Sequence, residues 1–101
     1  MHHARVPGWR ALARRAGYLA AGAAILLAQA GGGPQHIGRI TAFCCDKPAY
    51  LAARRQLGAI WRTLMATPTG THHPAMSMIF VSDLLDNPGK IELEATAVIP
   101  D

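Results

Sequence analysis

The stretch that decides the fold is KIELEATAVI, residues 90–99, in which apolar and polar side chains alternate. This two-residue period is typical of a β-strand with one face against a core. The apolar set is Ile91, Leu93, Ala95, Ala97 and Ile99, and the opposite set is Glu92, Glu94, Thr96 and Val98. The alternation therefore predicts a sheet with one buried side and one polar side.

Two carboxylates, Glu92 and Glu94, stand on the polar side of this strand. Alternate residues of a strand lie about 6–7 Å apart at their Cα atoms and point to the same face. Carboxylates at that distance raise one another's pKa and can act as acid or base if the face is covered from solvent. The alternative is an ordinary solvated sheet face.

A second strand is predicted over residues 76–84, immediately upstream. Asp86, Asn87, Pro88 and Gly89 separate it from the first strand, and Pro and Gly favour a tight reversal. We therefore expect the two strands to form a hairpin.

Further upstream the sequence predicts a strand followed by a helix. Residues 37–45 are rich in β-branched and aromatic residues, and Asp46 then serves as a helix N-cap with Pro48 in the first turn. The helix is supported by apolar residues that we expect to face the core, namely Leu51, Leu57, Ile60 or Trp61, and Leu64. The segment TPTG at residues 67–70 ends it.

Residues 9–30 predict a helix, and this helix has three interpretations. A basic start, an apolar run and the small residues Ala28 and Ala30 suit a secretory signal, which would export the protein. A domain helix stopped by GGGP at residues 31–34 is the favoured interpretation and agrees with a cytoplasmic protein. A membrane anchor is the third. We expect residues 1–8 to be a disordered start and residues 9–101 to be a single, partial domain.

The charge of the chain is unevenly placed. The formal net charge is +4, yet five arginines and no acid precede Asp46, whereas five bases face six acids from there onward. Few aromatic residues accompany the arginines, so the pattern does not favour a nucleic-acid groove. Partners in the form of nucleic acid or a membrane are therefore not expected.

The cysteines and histidines do not predict a metal site. Cys44 and Cys45 are adjacent, so in a strand they point to opposite faces and cannot chelate one ion together. The histidines have no HxH or His-x-x-x-His spacing on a regular element. We expect two semi-buried free thiols, no metal and no cofactor.

Four segments occur in the order and spacing of the RidA family, also called YjgF or L-PSP. They are AQAGGGPQHI (28–37), DKPAYL (46–51), HHPAM (72–76) and KIELEATAVI (90–99). The resemblance implies an α+β fold like that of the small chorismate mutases, a mixed sheet with two helices packed on one face. It also implies a homotrimer with ligand pockets in clefts between subunits. Glu92 matches the catalytic pocket glutamate of enzymes that hydrolyse an enamine or imine, and His72 and His73 match the rim of the cleft.

Two departures from the family pattern bear on function. Met76 stands where active deaminases carry an arginine that grips the substrate carboxylate, and Met78 makes the expected pocket more apolar still. The hairpin that opens the family domain has no counterpart before Trp9. We therefore expect a protein that binds a small metabolite in an intersubunit cleft without classical 2-imino acid deaminase activity. The alternatives are an imine or enamine hydrolase acting on a substrate without a carboxylate, and a truncated product with no stable function.

Overall fold

The computed structural model describes residues 6–85 and 90–100, with two long helices and five strands among them. In chain order the elements are α1 (Trp9–Gln29), a 3-10 turn (Pro34–His36), β1 (Ile37–Cys44), α2 (Lys47–Leu64), β2 (Ala66–Thr67), β3 (Gly70–Thr71), β4 (Ala75–Phe80) and β5 (Ile91–Ala97). Of the predicted disordered start, residues 1–5 lie outside the described residues, and residues 6–8 form a turn.

The main sheet has the strand order β4-β1-β5, with β1 in the centre. β4 runs parallel to β1 and β5 runs antiparallel to it, so the sheet is mixed. The predicted hairpin between the two later strands is wrong, because β1 separates them. Residues 81–90 separate the two strands, which is more than the two to five residues of common hairpin loops. The predicted turn at residues 86–89 lies outside the described residues.

Both helices pack on one side of the sheet, as the resemblance implied. The side chains of Ile40 and Cys44 in β1 are buried on that side. One core cluster joins Cys44 and Ile91 to residues of both helices, including Leu12 and Ala53. A second cluster lies around Ile37, Ile40 and Met65, near the C-terminal end of α2.

Helix α2 begins where its cap predicts. The Oδ1 atom of Asp46 accepts a hydrogen bond from the backbone N–H of Ala49 at 3.0 Å, and Pro48 stands in the first turn. One of the apolar residues that we expected to face the core does not do so, because Leu51 is 43% exposed. Leu51 and Leu57 are six residues apart, which is one and two-thirds turns, so they cannot share a face. Alanines, including Ala49 and Ala53, take the core positions of the first turns.

Helix α1 is buried mainly along its first half, and in its second half Leu27 packs against the second core cluster. Leu12, Ala13, Ala16 and Ala20 are buried, whereas Ile25 and Leu26 in the second half are 59% and 68% exposed. Among the described residues, α1 is also the one helix long and apolar enough to cross a membrane by length and composition, a test that core helices and signal sequences pass as well.

A two-residue ribbon, β2 with β3, follows α2 and was not predicted. Gly70 within it has a φ of 131°, a conformation that residues with a side chain rarely adopt. The ribbon replaces the simple loop expected at residues 67–70 and directs the chain toward β4.

Candidate functional site

The side of the main sheet that carries no helix presents a mixed polar and apolar surface, which we call the helix-free face. Side chains that are paired across neighbouring strands point to the same side of a sheet. The register aligns Thr41 with Ser77 and Glu94, and Phe43 with Ile79 and Glu92. The helix-free face consists of Arg39, Thr41, Phe43, Ser77, Ile79, Glu92, Glu94 and Thr96.

The two glutamates share this face, as the alternation of residues 90–99 predicted. Glu92 lies opposite Phe43 and is half-buried, whereas Glu94 lies opposite Thr41 and is exposed. The register places the Phe43 ring beside Glu92, where it provides partial cover from solvent. Of the two, Glu92 therefore has the surroundings better suited to acid or base chemistry.

Arg39 is a cation on the helix-free face that the sequence interpretation did not select. Its Nη2 atom donates a hydrogen bond to Oγ of Ser77 on the neighbouring strand at 2.9 Å. The arginine was counted in the basic N-terminal third and not placed within a strand. The sequence signal that would have found it is the alternation of Arg39, Thr41 and Phe43 with the buried residues of β1.

Met76 and Met78 lie on the opposite side of the sheet from Glu92. Met76 pairs with Ile40 and Met78 pairs with Ala42, and both of these β1 residues are buried beneath the helices. The structure therefore does not bring the methionines together with Glu92 in one hollow within a chain, which corrects the expected grouping. The cause is the register of β4 on β1. A shift of this register by one residue would move every β4 side chain to the opposite side of the sheet.

The two histidines before β4 have different surroundings. Nε2 of His72 lies 2.8 Å from the carbonyl oxygen of Ile37. Because a carbonyl oxygen only accepts, Nε2 carries the proton and donates it, which fixes the tautomer of the ring. His73 is exposed. His72 thus joins the segment before β4 to the start of β1, and His73 is the histidine available to solvent.

A charged pair and two thiols meet at the start of α2. Nζ of Lys90 donates to Oδ2 of Asp46, and the Sγ atoms of Cys44 and Cys45 contact the backbone of Asp46 and Lys90. Burial raises the pKa of the Cys44 thiol, which disfavours the reactive thiolate. Both cysteines are free and Cys45 is half-buried, as predicted, whereas Cys44 is fully buried rather than half-buried.

No group of three or more His, Cys, Asp or Glu side chains within residues 6–85 and 90–100 could hold a metal ion. The chemistry that the helix-free face offers is that of a carboxylate, a guanidinium and hydroxyl groups beside an aromatic ring. These groups can orient a small polar ligand and move a proton.

Comparisons with known proteins found relatives by structure. No family model matches the sequence, and no curated protein matches it. A Yersinia pestis protein of the conserved Rid family, YyfB, is 30% identical with a TM-score of 0.60, over 79% of this chain and 56% of that one. The YjgF gene product of E. coli is 28% identical with a TM-score of 0.58, over 74% and 54%. A Mycobacterium tuberculosis member of the YjgF/YER057c/UK114 family is 24% identical with a TM-score of 0.55, over 75% and 58%.

The chain thus spans little more than half the length of these three relatives. Within that span it has their chorismate-mutase-like arrangement, with two helices on one face of a mixed sheet. The chain therefore has the fold of the YjgF/Rid family.

Proposed function

We propose that this protein binds a small neutral or weakly acidic metabolite on the helix-free face, in a cleft completed by other copies of the chain in a homotrimer. The observation that carries the proposal is that Glu92, Arg39 and Phe43 share a sheet face that no helix covers. Glu92 beside Phe43 gives a ligand a polar and an apolar contact, and Arg39 lies on the same face, four residues from Phe43 along β1.

We further propose that the protein lacks 2-imino acid deaminase activity. The family resemblance aligns Met76 with the arginine that grips the substrate carboxylate in active deaminases, and methionine has neither charge nor donor. Its side chain lies on the side of the sheet opposite Glu92. Loss of a bidentate contact in a desolvated pocket costs about 2–5 kcal/mol, which is on the order of thirtyfold to several thousandfold in binding.

The absence of deaminase activity is tested with a 2-imino acid generated in the cuvette by an amino acid oxidase. We expect release of the 2-oxo acid at the uncatalysed rate. The variant Met76→Arg should also be inactive, because a guanidinium at position 76 would lie on the side of the sheet opposite Glu92. Turnover by the wild-type protein, or its appearance in Met76→Arg, would contradict the proposed site.

Ligand binding is tested by thermal shift across a panel of small neutral and weakly acidic metabolites. We expect at least one compound to raise the melting temperature, and Glu92→Gln to abolish that increase. Glu94→Gln is the matched control, because it changes the same residue type on the same strand face beside Thr41 and not beside Phe43. No shift with any compound, or equal shifts in both variants, would count against Glu92 as the binding group.

The second candidate is an enamine or imine hydrolase whose substrate has no carboxylate. It is favoured by the half-buried position of Glu92, where a carboxylate can activate water. If a neutral imine is hydrolysed, Glu92→Ala should reduce kcat on the order of a hundredfold or more. Unchanged turnover in that variant would remove the candidate.

A further inference from the structure

The space between the helices and the sheet is incompletely filled. Several side chains that face this space are alanines, from α1, β1 and β5, and they include Ala16, Ala20, Ala42 and Ala95. Protein interiors normally contain few voids larger than a water molecule. Here two cavities of about 480 and 330 Å³, both open to solvent, remain.

The two cavities adjoin each other between the helices and the sheet. Ala20, Ile40, Leu64 and Leu93 line both of them. The larger cavity extends beneath the second half of α1, and the smaller one extends toward β4, where Met76 and Met78 form its wall. Their volumes fall in the range of about 300–1,000 Å³ typical of small-ligand sites. Together they form one adjoining, mainly apolar space.

The polar groups of this space are concentrated at one place. The side chains of Tyr50 and Arg54, both on α2, line the smaller cavity, and Arg54 is its one charged lining residue among those described. Arg54 is exposed, so its guanidinium stands at the mouth of the cavity. Within residues 6–85 and 90–100 it has no acidic partner.

We propose that this space binds a monocarboxylic acid with an apolar chain. The carboxylate would pair with the Arg54 guanidinium at the mouth, a charge-assisted bond that arginine makes in bidentate form. The chain would follow Met76 and Met78 into the alanine-lined part of the space, where apolar surface is removed from water. The site lies on the opposite side of the sheet from Glu92, so it is independent of the metabolite site proposed above.

Decanoate is a suitable probe, and Trp61 is a built-in reporter because it lines the smaller cavity. In a Trp9→Phe background, decanoate carrying a terminal bromine should quench the fluorescence of Trp61. Calorimetry with unmodified decanoate should give saturable binding with one site per chain. Absence of both quenching and binding heat would overturn the proposal.

The arginine is tested with matched variants on one helix. Arg54→Met should weaken decanoate binding on the order of tenfold or more, because a charge-assisted hydrogen bond is lost. Arg54→Lys should weaken it less. Arg55→Met is the control, because Arg55 is a neighbouring exposed arginine that does not line the cavity. Decan-1-ol should bind the wild type and Arg54→Met equally, and equal loss of decanoate binding in the Arg54 and Arg55 variants would overturn the assignment.

The cavity itself is tested by filling it. Ala20→Leu places extra carbon atoms where the two cavities meet, and it should abolish binding of decanoate and decan-1-ol while thermal unfolding remains cooperative. If that variant does not fold, Ala23→Leu tests the larger cavity from an exposed position of α1. Unchanged binding of both probes to a folded cavity-filled variant would show that the ligand lies elsewhere.

Discussion

At the scale of single residues, one carboxylate joins two elements of the fold. Asp46 caps α2 through Oδ1 and accepts from Lys90, at the start of β5, through Oδ2. Burial alone would raise the pKa of this carboxyl, but the hydrogen bonds from Lys90 and from the backbone of Ala49 outweigh burial, so the pKa is lowered. The hydrogen bond to Asp46 in turn raises the pKa of Lys90.

Asp46→Ala should lower the free energy of unfolding by about 1–3 kcal/mol, because it removes a helix cap and half of a partly buried ion pair. Asp46→Asn retains an oxygen that caps the helix, so this variant should lose less free energy of unfolding than Asp46→Ala. Urea unfolding followed by circular dichroism measures both. Equal losses in the two variants would show that the cap contributes nothing.

The lowered pKa of Asp46 makes part of the stability depend on pH. The contribution of the carboxylate is fully present above its ordinary pKa of 3.8 and is lost as the pH falls through the lower folded value. The contribution of Lys90 is fully present below 10.5 and is lost above it. The difference in stability between wild type and Asp46→Asn should therefore shrink below pH 3.8, and a constant difference down to pH 2 would contradict this account.

At the scale of elements, substitutions at two glycines, Gly8 at the N-cap of α1 and Gly22 within the helix, have opposite expected effects. A Cβ atom at Gly22 would meet nothing within 4 Å, so Gly22→Ala should raise the free energy of unfolding by about 0.5–1 kcal/mol through helix propensity. Gly8 has a φ of 84°, and a Cβ there would come within 2.9 Å of the Lys90 side chain, so Gly8→Ala should destabilise. Thermal unfolding tests both, and a destabilised Gly22→Ala would show that α1 is not a regular helix there.

Local sequence signals predicted the elements themselves better than their arrangement. The cap at Asp46 located the start of α2, and alternation located β5 and its two faces. The partner of β5 could not be read in the same way, because strand pairing depends on how a long connection crosses the sheet. The side of the sheet on which Met76 lies was not predicted for the same reason, since it follows from the register of β4 on β1.

At the scale of the whole molecule, the two sides of the sheet differ in what covers them. Helices cover one side, and the other carries the exposed Ile79 and the half-buried Phe43 among charged groups. An uncovered sheet face can remain in water when it is polar, but apolar side chains at its centre favour contact with another surface. This is the physical basis for assigning the proposed trimer contact and the ligand cleft to the helix-free face.

Light scattering of the purified protein tests that assignment most directly. We compare the wild type with Ile79→Lys, on the helix-free face, and with Ile25→Lys on the outer surface of α1; both isoleucines are exposed, by 41% and 59%. The account predicts particles of three chains for the wild type and for Ile25→Lys, and single folded chains for Ile79→Lys. A monomeric wild type, or trimers that persist in Ile79→Lys, would contradict it.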